Sequence, residues 1–126
     1  MKKLIHIVDD EAFMRRNIID ALTRKDIEFA ESNNGKDAIK ELEQRQPNLL
    51  LLDINLPGLD GLSVLKETRQ LYPQLPVIML TAHGTSERAI RAMKNGAFDY
   101  LEKPFELDEF LLIVERALNY SDLVNE

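Results

Sequence analysis

Asp9 and Asp10 follow the apolar run Leu4-Ile5-His6-Ile7-Val8, and Asp53 ends the run Leu49-Leu50-Leu51-Leu52. Thr81 ends Val77-Ile78-Met79-Leu80, and Lys103 stands just past Phe98-Asp99-Tyr100-Leu101. Each polar group therefore sits at the carboxyl end of a short apolar run, the pattern of a strand buried in a sheet. Three carboxylates brought together cannot all ionise without a counter-charge. A hard divalent ion such as Mg²⁺ supplies one, since it takes a few carboxylate or carbonyl oxygens and keeps waters. The backbone carbonyl of Asn55 can reach the same ion. Lys103 adds a mobile point cation suited to phosphate oxygens, and Thr81 adds a hydroxyl. Metal, ammonium, hydroxyl and carboxylate together make a site for phosphoryl transfer. Asp53, between the acidic pair and the Thr81–Lys103 side, is the candidate nucleophile that would become an acyl phosphate.

Taken singly, these residues have plainer readings. Asp9, Asp10 and Glu11 would favour the macrodipole of a following helix. Asp53 would serve as a turn or N-cap residue, except that Pro57, Gly58 and Gly61 delay the next helix to about Gly61. The joint reading depends on elements that bring the five positions to one edge. Helical stripes fill the intervals between the apolar runs: about Glu11 to Arg24 with Met14, Ile18, Ala21 and Leu22 inward, Lys36 to Arg45 with Ala38, Ile39 and Leu42 inward, and Gly61 to Tyr72 with Leu62 and Leu65 inward. Ser86 is an N-cap for Arg88 to Lys94, and Glu106 to about Tyr120 carries a stripe of Leu107, Leu111, Val114 and Leu118. Ile27 to Glu31 alternates strictly and reads as a half-buried edge strand. Phe13 reads as a half-exposed residue packing at an edge. Ser121 to Glu126 turns polar and is expected to fray.

Strand then helix, five times over with short connections, implies a parallel sheet with helices on both faces and right-handed crossovers. The simplest arrangement is a flavodoxin-like α/β fold, (βα)5, with strand order 2-1-3-4-5. That order makes the first, third and fourth strands neighbours and sets the fifth beside the fourth. The polar strand ends then converge on the edge where open α/β sheets bind ligands.

The totals narrow the classes. The chain has 126 residues, 44% hydrophobic and 30% charged, which suits one domain of ordinary water-soluble balance. We expect the domain to span 1–121, with 122–126 a tail or the start of a linker. Sixteen basic and twenty-two acidic residues leave a net charge of −6, which argues against direct nucleic-acid binding by this surface. The absence of cysteine excludes disulfide and thiolate chemistry and fits a reducing, cytoplasmic location. No window approaches the roughly eighteen apolar residues of a membrane span, and the N-terminal apolar run is too short for a secretion signal.

The chain resembles the receiver domains of two-component response regulators over essentially its whole length. The matching pieces are Val8-Asp9-Asp10-Glu11, Leu51 through Gly61 (LLDINLPGLDG), Leu80-Thr81-Ala82, Gly96 through Leu101 (GAFDYL) and Lys103-Pro104-Phe105. The resemblance implies that Asp53 accepts a phosphoryl group from a phosphohistidine on a sensor kinase or phosphotransfer protein. It implies Mg²⁺ on Asp10, Asp53 and the Asn55 carbonyl with help from Asp9, and pairing of Lys103 with the acceptor carboxylate or phosphate. It further implies a cis bond between Lys103 and Pro104 and a switch in which phosphate draws the Thr81 hydroxyl inward while Tyr100 turns from exposed to buried. The face made by the helix after Thr81, the Phe98 strand and the last helix would then change shape, a two-state element biased by one new charge.

Some readings stay open at this level. His83 is either a solvated loop histidine or, with Asn55, a flank of the entrance for attacking water that sets the phosphate's lifetime. His6 is mid-strand and reads as structural. Leu112 and Ile113 read either as contacts of a homodimer formed on phosphorylation or as core. The chain reads either as a free-standing receiver or as part of a longer regulator, and its output is expected in a downstream effector protein or domain accordingly. A phosphatase of the haloacid-dehalogenase type shares the aspartate after a strand but needs a second aspartate two residues on, where this chain has Asn55. A receiver-like interaction module without phosphorylation would not need the acidic, Thr and Lys positions, all of which are here.

Overall fold

The computed structural model describes residues 2–82 and 87–125; the roles open to His83 and the N-cap expected of Ser86 lie outside the described residues. The elements alternate as the apolar runs require: β1 (Lys3–Val8), α1 (Ala12–Leu22), β2 (Ile27–Ser32), α2 (Gly35–Gln44), β3 (Leu49–Asp53), α3 (Gly61–Leu71), β4 (Val77–Thr81), α4 (Glu87–Lys94), β5 (Asp99–Glu102) and α5 (Leu107–Val124). All strand pairs are parallel, in the order β2-β1-β3-β4-β5, as expected.

Residues alternate between faces along each strand. In β3, Leu50 and Leu52 join Ala38, Leu42, Leu65, Ala89 and Ala92 in one core, under α2, α3 and α4. Leu49 and Leu51 join Ile18, Leu22, Phe110, Val114 and Leu118 in the other, under α1 and α5. A strand covered on both faces has no solvent side, which is why its sequence is a continuous apolar run. β2 pairs only with β1 and is the edge strand its alternation predicts.

The last helix differs from its predicted phase. Leu107 and Leu111 are exposed, and the buried stripe is Phe110, Ile113, Val114, Ala117, Leu118 and Ser121. The phase is anchored where the helix starts: Glu106 accepts from the Asp108 and Glu109 backbone N–H groups, and Phe110 stacks on Phe105 at 5.1 Å. Ile113 is thus core, whereas Leu112 faces out. The helix also continues through Ser121 to Val124, because Ser121 is buried and Asp122 pairs with Lys3 of β1 at 2.6 Å. Phe13 is 76% exposed and does not pack at an edge. β5 begins one residue later than predicted, after Phe98 N–H has bonded Val77 O at 2.7 Å.

Two buried polar groups make testable statements about stability. Among the described residues, Thr68 Oγ1 in α3 is the buried side-chain polar atom without a hydrogen-bond partner. A near-isosteric Thr68→Val removes the unpaired hydroxyl and is expected to gain about 1 kcal/mol. The check is a higher urea midpoint at unchanged m-value. His6 is buried in β1 with Nε2 at 2.7 Å from Ser32 Oγ. Burial lowers its pKa from 6.5 to about 4. Between those values the unfolded chain binds a proton that the folded chain refuses. The His6 contribution is therefore intact above about pH 6.5 and is lost as the pH falls towards 4, by about 3 kcal/mol. His6→Gln should flatten that part of the profile, measured as wild type minus variant in urea titrations from pH 7 to 4.

Candidate functional site

Each candidate side chain stands where a strand ends. β1 stops at Val8, and Asp9 N–H bonds Ser32 O of the neighbouring strand at 3.2 Å. Asp9 is fully buried; its Oδ1 accepts from Glu11 N–H at 2.9 Å, which turns the chain into α1. Asp53 is the last residue of β3 and is 5% exposed; its Oδ1 accepts from Asn55 N–H at 3.0 Å. Lys103 follows β5, and its backbone N–H is held by Thr81 O at 2.7 Å. The peptide bond from Lys103 to Pro104 is cis.

The Lys103 ammonium lies between the two buried carboxylates, 2.8 Å from Asp9 Oδ2 and 3.3 Å from Asp53 Oδ2. Burial raises the Asp53 pKa above the usual carboxylate value; the Lys103 charge and the Asn55 N–H oppose this, and Asp9 adds to it. For Lys103, burial pulls the pKa down, but the Asp9 bond and the Asp53 and Asp9 charges outweigh it, and the net shift is upward. The ammonium is thus fixed in its charged form. Asp10 is exposed, yet one carboxylate oxygen each of Asp9, Asp10 and Asp53 lie within 4.8 Å of one another. Three hard anionic oxygens at that spacing, one of them open to water, fit a divalent ion that binds oxygen and keeps part of its hydration shell.

Thr81 and Tyr100 stand on the two strands beside this cluster, β4 and β5. Thr81 is buried at the end of β4, opposite Glu102 in register. Tyr100 is half-buried and packs on the core beneath α2, α3 and α4. Strand alternation places both residues on the sheet face opposite to Leu80 and Leu101, which belong to the core under α1 and α5. Asn55 is exposed just past Asp53.

Two arginines to which the sequence reading gave no role at the site also reach it. Arg15 of α1 donates to Asp9 O at 2.6 Å and pairs with Glu31 at 2.9 Å. Arg88 of α4 donates to Asn55 Oδ1, to Ile54 O at 3.3 Å and to Asp60 Oδ2 at 3.2 Å. Their acceptors are backbone carbonyls and side chains on other elements, for which local spacing carries no signal.

Among known proteins, the model of the response regulator receiver domain family matches residues 5–115. The chain is 40% identical over 117 residues to the DNA-binding transcriptional regulator NtrC of Escherichia coli, covering 93% of this chain and 25% of that protein. It is 39% identical over 120 residues to the chemotaxis protein CheY of Bacillus subtilis, covering 94% of this chain and all of that one (100%). The solved receiver domain of NtrX from Brucella abortus superposes with a TM-score of 0.85 at 39% identity, covering 91% of this chain and 98% of that one. The chain therefore spans about a quarter of the length of the NtrC-type relatives and the full length of the CheY-type one. Among the described residues, no helix is long and apolar enough to cross a membrane.

Proposed function

The chain belongs to the response-regulator receiver domain family, and on that premise we propose that it takes a phosphoryl group onto Asp53 from the phosphohistidine of a sensor kinase or phosphotransfer protein. The observation that carries this is the Lys103 ammonium held between buried Asp9 and Asp53. It leaves Asp53 a carboxylate with a cation at its side and an open carboxylate, Asp10, nearby.

In the transfer, an Asp53 carboxylate oxygen bonds to phosphorus and the phosphorus–nitrogen bond of the donor breaks. The imidazole leaves and takes up a proton from solvent. Lys103 faces the charge that collects on the phosphoryl oxygens. Asp9, Asp10 and Asp53, with the Asn55 carbonyl, would hold Mg²⁺, which when bound offsets the negative charge of donor and acceptor. In the reverse arm, water attacks phosphorus, the bond to Asp53 breaks and inorganic phosphate leaves, so the domain catalyses its own reset. Thr81, and Tyr100 on the same sheet face, would read the new charge and pass it to the surface of α4, β5 and α5. That surface is the proposed contact for an effector domain or protein, or for a second phosphorylated copy.

The test is incubation with Mg²⁺ and acetyl phosphate, followed by peptide mass mapping. Wild type should gain one phosphoryl group on the peptide holding Asp53. Asp53→Ala and an EDTA-treated sample should gain none. Modification elsewhere, or none with either acetyl phosphate or a phosphohistidine donor, overturns the reading.

A further inference from the structure

Helix α4 buries only Ala89 and Ala92, so little apolar surface holds it to the sheet. Arg88, in its first turn, reaches across to the connection between β3 and α3. One guanidinium nitrogen donates to Asn55 Oδ1, and the other to Ile54 O and Asp60 Oδ2. Both of these contacts lead back to defined structure. Asp60 Oδ1 caps α3 by accepting from Ser63 N–H at 3.0 Å, and Asn55 N–H bonds the acceptor oxygen Asp53 Oδ1 at 3.0 Å. Arg88 is therefore one residue removed from the carboxylate proposed to carry phosphate.

The chemistry of the primary amide decides what this bond does. An asparagine side chain has an oxygen that only accepts and an NH₂ group that only donates. With Oδ1 held by a guanidinium, the group left for a ligand is the NH₂. Toward a phosphoryl group that difference sets the sign: NH₂ donates to an anionic oxygen, whereas Oδ1 repels it. An exposed asparagine without such a partner can rotate and present either end. We infer that Arg88 is a positioning residue that turns the Asn55 amide into a hydrogen-bond donor for the phosphoryl group on Asp53. The position of α4 then bears on the acceptor through a single side chain. This inference rests on the phospho-acceptor reading.

Trifluoroberyllate, a phosphoryl mimic with fluorines that accept hydrogen bonds, is the probe, titrated calorimetrically in saturating Mg²⁺. Arg88→Ala and Asn55→Ala should each weaken its binding about tenfold, the size of one hydrogen bond to a charged group. The double variant should lose no more than either single one, because both remove the same bond. Arg88→Lys should recover part of the loss, since an ammonium can still donate to Oδ1. For Arg88→Ala, Mg²⁺ affinity measured alone should not fall. If Arg88→Ala costs as much in the Asn55→Ala background as in wild type, if it costs nothing, or if Mg²⁺ affinity falls with it, the inference is overturned. If wild type itself takes up no trifluoroberyllate, the phospho-acceptor reading falls first and this inference goes with it.

Discussion

Lys103→Met should lower stability by about 3 kcal/mol in EDTA, and magnesium should return most of the loss. The ammonium is the counter-charge to two carboxylates, of which Asp9 is fully buried and Asp53 nearly so. Removing one partner of a buried ion pair leaves an uncompensated charge, which costs about 3–5 kcal/mol. Methionine keeps the length of the stem, so the loss reports charge rather than packing. A divalent ion bound by the same carboxylates restores a counter-charge and stabilises the folded state by mass action. The measurement is a pair of urea titrations, with EDTA and with millimolar Mg²⁺, on both proteins. The gain from magnesium should be clearly larger for the variant. Equal gains would show that Lys103 does not offset the charge that the metal offsets.

Gly61→Ala should be the most disruptive single-methyl change near the site. A Cβ at Gly61 would lie 2.2 Å from the carbonyl oxygen of Asp53 and 2.7 Å from Cα of Ile54. Both atoms are backbone, so no side chain can swing aside. The first turn of α3 would have to move off the end of β3, breaking the bond from Gly61 N–H to Ile54 O at 3.0 Å. The expected cost is about 3 kcal/mol, with Mg²⁺ affinity reduced at least about tenfold because the displaced carbonyl belongs to the acceptor residue. Gly58, in the same connection, is the control. Its φ is +70 but its Cβ position is open, so Gly58→Ala should cost only about 1–2 kcal/mol and Gly58→Asn less, with metal affinity retained. Thermal melts and magnesium titrations of the three variants separate crowding from backbone strain.

The legible part of this chain follows from burial. Leucines 49 to 52 run unbroken because β3 is covered on both faces, and Asp53 then marks the point where the chain leaves the core. The same logic locates Asp9, Thr81 and Lys103. The phase of α5 was not legible, because its leucines recur at spacings that suit more than one face. Stacking of Phe110 on Phe105 and the sheet beneath select Phe110, Val114 and Leu118 over Leu107 and Leu111.

Strand ends, turn chemistry and element order are local or nearly so, and the amino-acid sequence alone determined them: five parallel strands, their order, and the edge on which three acids and a lysine meet. Only the tertiary structure decided the pairings across that edge. It sets Lys103 closer to Asp9 than to Asp53 and brings Arg88 from α4 onto Asn55. The reason is distance in the chain: Lys103 and Asp9 are 94 residues apart, and Arg88 and Asn55 are 33 apart. Contacts of that span are settled by how packed layers stack, which no local spacing encodes.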